Sequence, residues 1–191
     1  MWKVLVTDEM RLGEVKNPEV RLDYKPDMSR EEILRAIGQY DALITRSRTQ
    51  VDAGLLEAGV NLKVVGRGGV GVDNVDLETA SRRGILVVNV PEANTRSAAE
   101  LAWALLLAVA RGVVESDQKI RQGRWDRKYL GLELNHKTIG IVGLGRIGGQ
   151  VARVGRGVDV GVLAYETYMQ RSRAQTLGGE LLDDLADMLR Q

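Results

Sequence analysis

The stretch Thr138–Glu166, TIGIVGLGRIGGQVARVGRGVDVGVLAYE, decides the fold. Thr138 to Val142 combines β-branched residues with Gly140, as a buried parallel strand does, and the chain then turns through Gly143, Gly145 and Gly148 in a G-x-G-x-x-G spacing. The first glycine permits the tight turn, the second lets a pyrophosphate approach the backbone, and the third allows the following helix to pack closely on the strand. Amides near Arg146 and Ile147 are then expected to face the phosphates, aided by the positive end of the helix dipole. A second apolar run, Val160 to Tyr165, reads as the next parallel strand, and Glu166 follows it, 23 positions after Gly143. A carboxylate there accepts both hydrogen bonds of a ribose diol and repels a 2′-phosphate, which favours NAD over NADP. Arg171 and Arg173 stand close by in sequence and read as surface charges. The bland alternative is a glycine-rich turn in an α/β protein that binds no ligand.

Composition is that of a soluble globular chain: 191 residues, 44% hydrophobic and 28% charged. A net charge of +1 gives no reason to expect nucleic acid or an anionic membrane as partner. The absence of cysteine excludes a disulfide framework and a thiolate site, and fits a cytoplasmic location. The N-terminus MWKVLVTDEM enters a strand pattern at once, with no secretion signal. The most apolar run, Ala98 to Ala110, contains Glu100 and falls short of the ~20 residues of a membrane span, so it is expected to be a buried helix.

Strand and helix signals alternate from the start. Strands are expected at 3–7, 20–23, 42–45, 62–65 and 85–89, and helices at 30–37, 52–58 and 76–83. Ser29 and Glu32 make a capping box, and Gly38, Gly59 and Gly84 act as stops. This is a doubly wound parallel sheet, flavodoxin-like, followed by an incomplete Rossmann unit. Asn94 or Thr95 caps a long helix at 97–111, and the polar stretch 112–134 reads as a connector or arm. A domain boundary falls near residue 95. The second unit offers two strands, helices at 146–156 and 168–177, and an acidic helix at 182–190, with a third strand expected to begin only where the chain stops.

Four blocks resemble the D-2-hydroxyacid dehydrogenases, most closely the D-3-phosphoglycerate dehydrogenases: LITRSRT at 43–49, VVGRGGVGVDNVDLETASRRGILVVNVPEANTRSAAELAWALLLAVAR at 64–111, GRWDRKYLGLELNHKTIGIVGLGRIGGQVA at 123–152 and LAYE at 163–166. The resemblance implies that residues 1 to about 95 form a substrate-binding domain and that 96–191 begin an NAD-binding domain, with a connecting helix and dimerisation arm over 97–134. It implies oxidation of a 2-hydroxy acid by NAD, here 3-phosphoglycerate to 3-phosphohydroxypyruvate in serine biosynthesis. Arg46 and Ser47 match contacts to the anionic substrate, Gly69, Val70 and Gly71 match a loop whose amides hold its carboxylate, and Asn94 matches a further contact. Val70, with Gly143, Gly145, Arg146, Ile147, Gly148 and Glu166, matches the cofactor site. Arg127 resembles an arginine that reaches across the dimer in some members.

Each reading has a plainer counterpart. Arg46 and Arg48 also suit solvated loop charges, Asn94 also suits a simple helix cap, and Trp103 and Trp125 read as packing or interface residues. The family's catalytic histidine, glutamate and arginine have no match in the chain. The lone histidine, His136, precedes the first strand of the second unit, where the family has no catalytic residue. Gly155 and Gly157 are expected to weaken the helix after the glycine loop by about 0.5–1 kcal/mol each. The chain is therefore expected to be the N-terminal part of such an enzyme, an engineered piece or a truncated product. The edge after 160–165 and an uncovered apolar face are expected to drive formation of a homodimer or a swapped assembly. The alternative is a non-catalytic, NAD-responsive binding or corepressor-like module.

Overall fold

Helices in this chain start where a short polar side chain caps them, and apolar runs between them pair as parallel strands. A computed structural model describes residues 1–168, 171–177 and 179–191. The chain divides into two units, 1–93 and 94–191.

The first unit contains β1 (Trp2–Val6), β2 (Val20–Tyr24), α1 (Arg30–Ala36), β3 (Ala42–Thr45), α2 (Ala53–Ala58), β4 (Val64–Arg67), α3 (Leu77–Arg82) and β5 (Leu86–Asn89). All strand pairs are parallel, in the order β2-β1-β3-β4-β5, the flavodoxin-like arrangement. Ser29 and Glu32 form the expected capping box on α1, while Asp52 and Asp76 accept from Leu55 N and Thr79 N, each at 3.0 Å. Leu5, Leu43 and Val65 on the central strands are fully buried against Ile37, Leu55 and Leu56. One strand differs from expectation. Leu62 N is tied to Gly59 O in a turn at 2.8 Å, so β4 starts at Val64 and runs on to Arg67. That places Arg67 inside the sheet, opposite Thr45.

The second unit contains α4 (Thr95–Ala110), α5 (Val113–Arg121), β6 (Thr138–Val142), α6 (Arg146–Arg156), β7 (Gly161–Tyr165), α7 (Arg171–Leu177), β8 (Glu180–Leu182) and α8 (Leu185–Leu189). Its sheet has the order β6-β7-β8, all parallel. The third strand is thus already within the chain. Leu181 pairs opposite Ala164 and packs into the core, so 180–182 is strand, and the last helix shrinks to 185–189. The edge of β7 expected to be open is therefore occupied. Of the helix expected from Tyr168, Met169 and Gln170 lie outside the described residues, as do the side chains of Arg171 and Arg173.

Three further expectations change. The apolar helix α4 buries only Ala99 and Trp103, whereas Leu101, Leu105 and Val109 are exposed. A single stripe of this helix finds a partner, and that partner is α6: Trp103 Nε1 donates to Val151 O at 3.0 Å. Gly155 has a packing reason, since an added Cβ would lie 3.1 Å from the Trp103 ring and 3.4 Å from Val162. Gly157 is the C-cap of α6 and carries no interior-helix penalty. The stretch 112–134 is not wholly a connector, because α5 occupies part of it and Leu132 N donates to Ala110 O at 2.7 Å. Among the described residues no single helix is long and apolar enough to cross a membrane.

Candidate functional site

In a sheet ordered 2-1-3-4-5 the direction of winding reverses between β1 and β3, and a crevice opens outside their carboxyl ends. Here that crevice is a cavity of about 770 Å³ whose lining includes Asp8, Glu9, Tyr24, Arg46, Ser47 and Arg48. Asp8 follows β1 and is only 2% exposed. Its carboxylate accepts from the amides of Arg46 (2.8 Å), Arg48 (3.0 Å) and Thr49 (3.4 Å), and from the Thr49 hydroxyl. Burial opposes its ionisation, but the Thr49 hydroxyl and these amides together favour the charged form more strongly and hold its pKa below the ordinary carboxylate value.

The two arginines of this loop have separate roles. The Arg48 guanidinium donates to the carbonyls of Thr7 and Pro26, so it braces the loop. Arg46 makes one long bond, Nη1 to Glu9 O at 3.4 Å, and is exposed to the cavity. Neither the amide nor the hydroxyl of Ser47 has a protein partner among the described residues.

The loop after β4 lies against this one. Gly68 N donates to Thr45 O at 2.7 Å, and an added Cβ at Gly68 would touch Arg46 Cγ at 3.4 Å. Asn89 Nδ2 holds Val70 O (2.6 Å) and Val90 N holds Gly69 O (2.9 Å). Of the three amides expected to bind a carboxylate, that of Gly69 is already used, donating to Arg67 O at 2.8 Å. Those of Val70 and Gly71 donate to no protein group among the described residues. Arg67, which the sequence reading passed over, drapes its guanidinium across Gly69, where any Cβ would overlap Nη1. Its Nε is buried without a hydrogen-bond partner. A buried, unsatisfied donor on a cation asks for an anion. The available signal was an arginine directly before the glycine cluster, which the early placement of β4 left in a loop.

The glycine loop of the second unit follows β6. Gly143 has φ +91°, and its amide donates to Tyr165 O at 2.8 Å. An added Cβ at Gly148 would overlap Gly143 O, so only glycine lets α6 approach the strand. An added Cβ at Gly145, the N-cap of α6, would meet nothing within 4 Å. That open space faces the N-terminus of an 11-residue helix that begins at Arg146, where the first backbone N–H groups, among them those of Ile147 and Gly148, precede the helix's own hydrogen-bond ladder. Pairing of Val142 with Tyr165 puts Glu166 at the same sheet edge, one residue beyond the carbonyl that binds Gly143. One Glu166 oxygen accepts from Tyr168 N at 3.1 Å, and the other has no partner among the described residues.

The remaining candidates lie elsewhere. Asn94 is the N-cap residue of α4, but its side chain caps nothing, and Thr95 Oγ1 is buried without a partner. Arg127 is exposed beside a cavity of about 380 Å³ that includes Lys119, Trp125 and Tyr129. His136 is exposed with φ +56° and serves a turn, its amide donating to Asp159 O at 3.2 Å. No cluster of metal-ligating side chains occurs among the described residues.

Residues 4–187 match the family model described as D-isomer specific 2-hydroxyacid dehydrogenase, catalytic domain. The D-3-phosphoglycerate dehydrogenase of Archaeoglobus fulgidus is 43% identical over 185 residues, covering 95% of this chain and 35% of that protein. The enzyme of the same name from Mycobacterium tuberculosis is 46% identical over 189 residues, with the same coverage. The chain thus spans about a third of the length of these curated relatives. Among solved structures, the TT0316 protein of Thermus thermophilus superposes with a TM-score of 0.84 at 32% identity, over 98% of this chain and 61% of that one.

Proposed function

Because the chain belongs to the D-isomer specific 2-hydroxyacid dehydrogenases, we propose that it is the N-terminal part of an NAD-dependent enzyme oxidising the 2-hydroxyl of a small anionic hydroxy acid. The substrate proposed is 3-phosphoglycerate, giving 3-phosphohydroxypyruvate for serine biosynthesis, as the names of the relatives at 43% and 46% identity suggest. The observation that carries this reading is Arg46, exposed in the crevice with one long guanidinium bond to Glu9 O among the described residues, its Cγ against Gly68 at the start of the loop that holds the unpartnered amides of Val70 and Gly71. A guanidinium fork and two backbone N–H groups are the donors a carboxylate or phosphate needs.

In the second unit, the amides of Arg146, Ile147 and Gly148 would hold the pyrophosphate across Gly143 and Gly145, and Glu166 would take the ribose diol. Glu166 favours NAD over NADP. The bound nicotinamide would supply the hydride acceptor. Ser47, Gly69, Val70 and Gly71 complete the proposed substrate contacts of the first unit, with Gly69 contributing shape only. No acid/base residue is assigned to this chain, and we place that chemistry in the part of the relatives' length that it does not span. The exposed apolar residues Leu101, Leu105 and Val109 on α4, with Val113 and Val114 on α5, support a homodimer, with Arg127 on its arm. A cytoplasmic location is in keeping with the lack of cysteine.

Titration with 3-phosphoglycerate tests the reading. Arg46→Met is expected to weaken binding by a factor on the order of 10 to 100, the value of a hydrogen-bonded charge. Arg48→Met is expected to lower the melting temperature and to leave affinity less affected, because its donors are spent on Thr7 and Pro26. Equal affinity of the parent and Arg46→Met would reject the site.

A further inference from the structure

The Arg46–Thr49 loop has no regular structure to hold it, yet the proposed substrate site depends on where it puts one side chain. Besides the Arg48 brace, one buried carboxylate gathers the amides of this loop. Three of its amides, those of Arg46, Arg48 and Thr49, converge on Asp8 Oδ2 at 2.8, 3.0 and 3.4 Å, and the Thr49 hydroxyl binds Oδ1. The other side of the Arg46 peptide is pinned as well, since Asn74 Nδ2 donates to Arg46 O at 2.7 Å. The loop is a small anion nest already filled from within the chain. Arg46 leaves it with both backbone polar groups fixed and its guanidinium nearly free.

We propose that Asp8 is a positioning residue for substrate binding: its carboxylate, by gathering the three amides, aims Arg46 and Ser47 into the crevice between β1 and β3. The proposal rests on the reading that Arg46 binds the substrate anion. Both oxygens of the Asp8 carboxylate are engaged by the loop.

The sign of one substitution separates this role from a bystander's. Asp8 carries a negative charge beside an anion site, so by Coulomb's law its removal should tighten anion binding. A positioning role predicts the reverse. Asparagine has nearly the same shape but offers a neutral acceptor in place of the charged one, so the nest loosens and Arg46 loses its aim.

The test is a double-mutant cycle read by calorimetric titration of 3-phosphoglycerate, with inorganic phosphate as a second probe. Asp8→Asn is expected to weaken 3-phosphoglycerate binding about tenfold, the scale of one lost charge-assisted hydrogen bond. In the Arg46→Met background its further effect should be much smaller, limited to what Ser47 contributes, since residues acting through one another are not additive. Tighter or unchanged binding by Asp8→Asn, or a full tenfold loss repeated in the Arg46→Met background, overturns the proposal. If Arg46→Met alone binds like the parent, or the parent does not bind, the reading of the site has failed and the proposal falls with it. Should Asp8→Asn not fold, Thr49→Val removes one donor and leaves the carboxylate in place. It must then weaken binding several-fold, and unchanged affinity overturns the proposal.

Discussion

Gly148→Ala is expected to abolish dinucleotide binding and to destabilise the second unit by about 2–3 kcal/mol, the upper range for an added methyl in a closed space. The methyl would overlap Gly143 O and come within 3.1 Å of both Gly143 C and Ile141 Cγ2. Two of those atoms are backbone, in the turn whose φ of +91° is set by the loop itself. The only relief is for α6 to lift from β6, which moves the helix N-terminus away from Glu166 and opens the core around Leu144. Thermal unfolding and an NAD titration on the same sample measure both effects. A variant that binds NAD as the parent does would show that the helix is not held as closely as the structure has it.

Trp103→Ala is expected to cost about 3–5 kcal/mol of stability, the range for losing a large buried aromatic. The ring is 5% exposed, packs beneath Gly155, and gives its N–H to the Val151 carbonyl. Removal leaves a cavity between α4 and α6 and deprives that carbonyl of a donor. Filling the space from the other side, by Gly155→Ala in the same chain, should return part of the loss, because the new Cβ enters the room vacated by the ring. Urea unfolding of the single and double variants tests this. Simple additivity would mean that the two positions do not share one packing site.

Much of the fold was legible because its signals are local. The glycine loop is written in residues whose missing side chains matter within a few positions, and Ser29, Asp52 and Asp76 announce their helices by caps made three residues away. What escaped is what distant partners decide. β8 has three residues, Glu180 to Leu182, and becomes a strand only because β7 offers an edge beside it. Leu62 is apolar and buried like a strand residue, yet its amide belongs to the turn at Gly59. An apolar helix such as α4 reads as buried all round, whereas one stripe of it meets α6.

The site divides in the same way. Gly143, Gly145, Gly148 and Glu166 were readable from spacing, and Arg46 and Ser47 from resemblance. Asp8 was not, because its partners lie 38 to 41 residues along the chain and nothing near it in sequence marks it. Arg67 was hidden by a two-residue error in the start of β4, since an arginine in a loop needs no explanation and one in a sheet with a buried, idle Nε does.

Whether the glycine loop and Glu166 form a dinucleotide site is measured by calorimetric titration of NAD and NADP into the chain. Saturable binding of NAD is predicted, with NADP weaker. Gly145→Val should eliminate it while leaving the melting temperature nearly unchanged, because the added Cβ enters open space, and Glu166→Ala should weaken NAD on the order of tenfold and narrow its advantage over NADP. No heat of binding from the parent chain, or binding that survives Gly145→Val intact, would contradict the account.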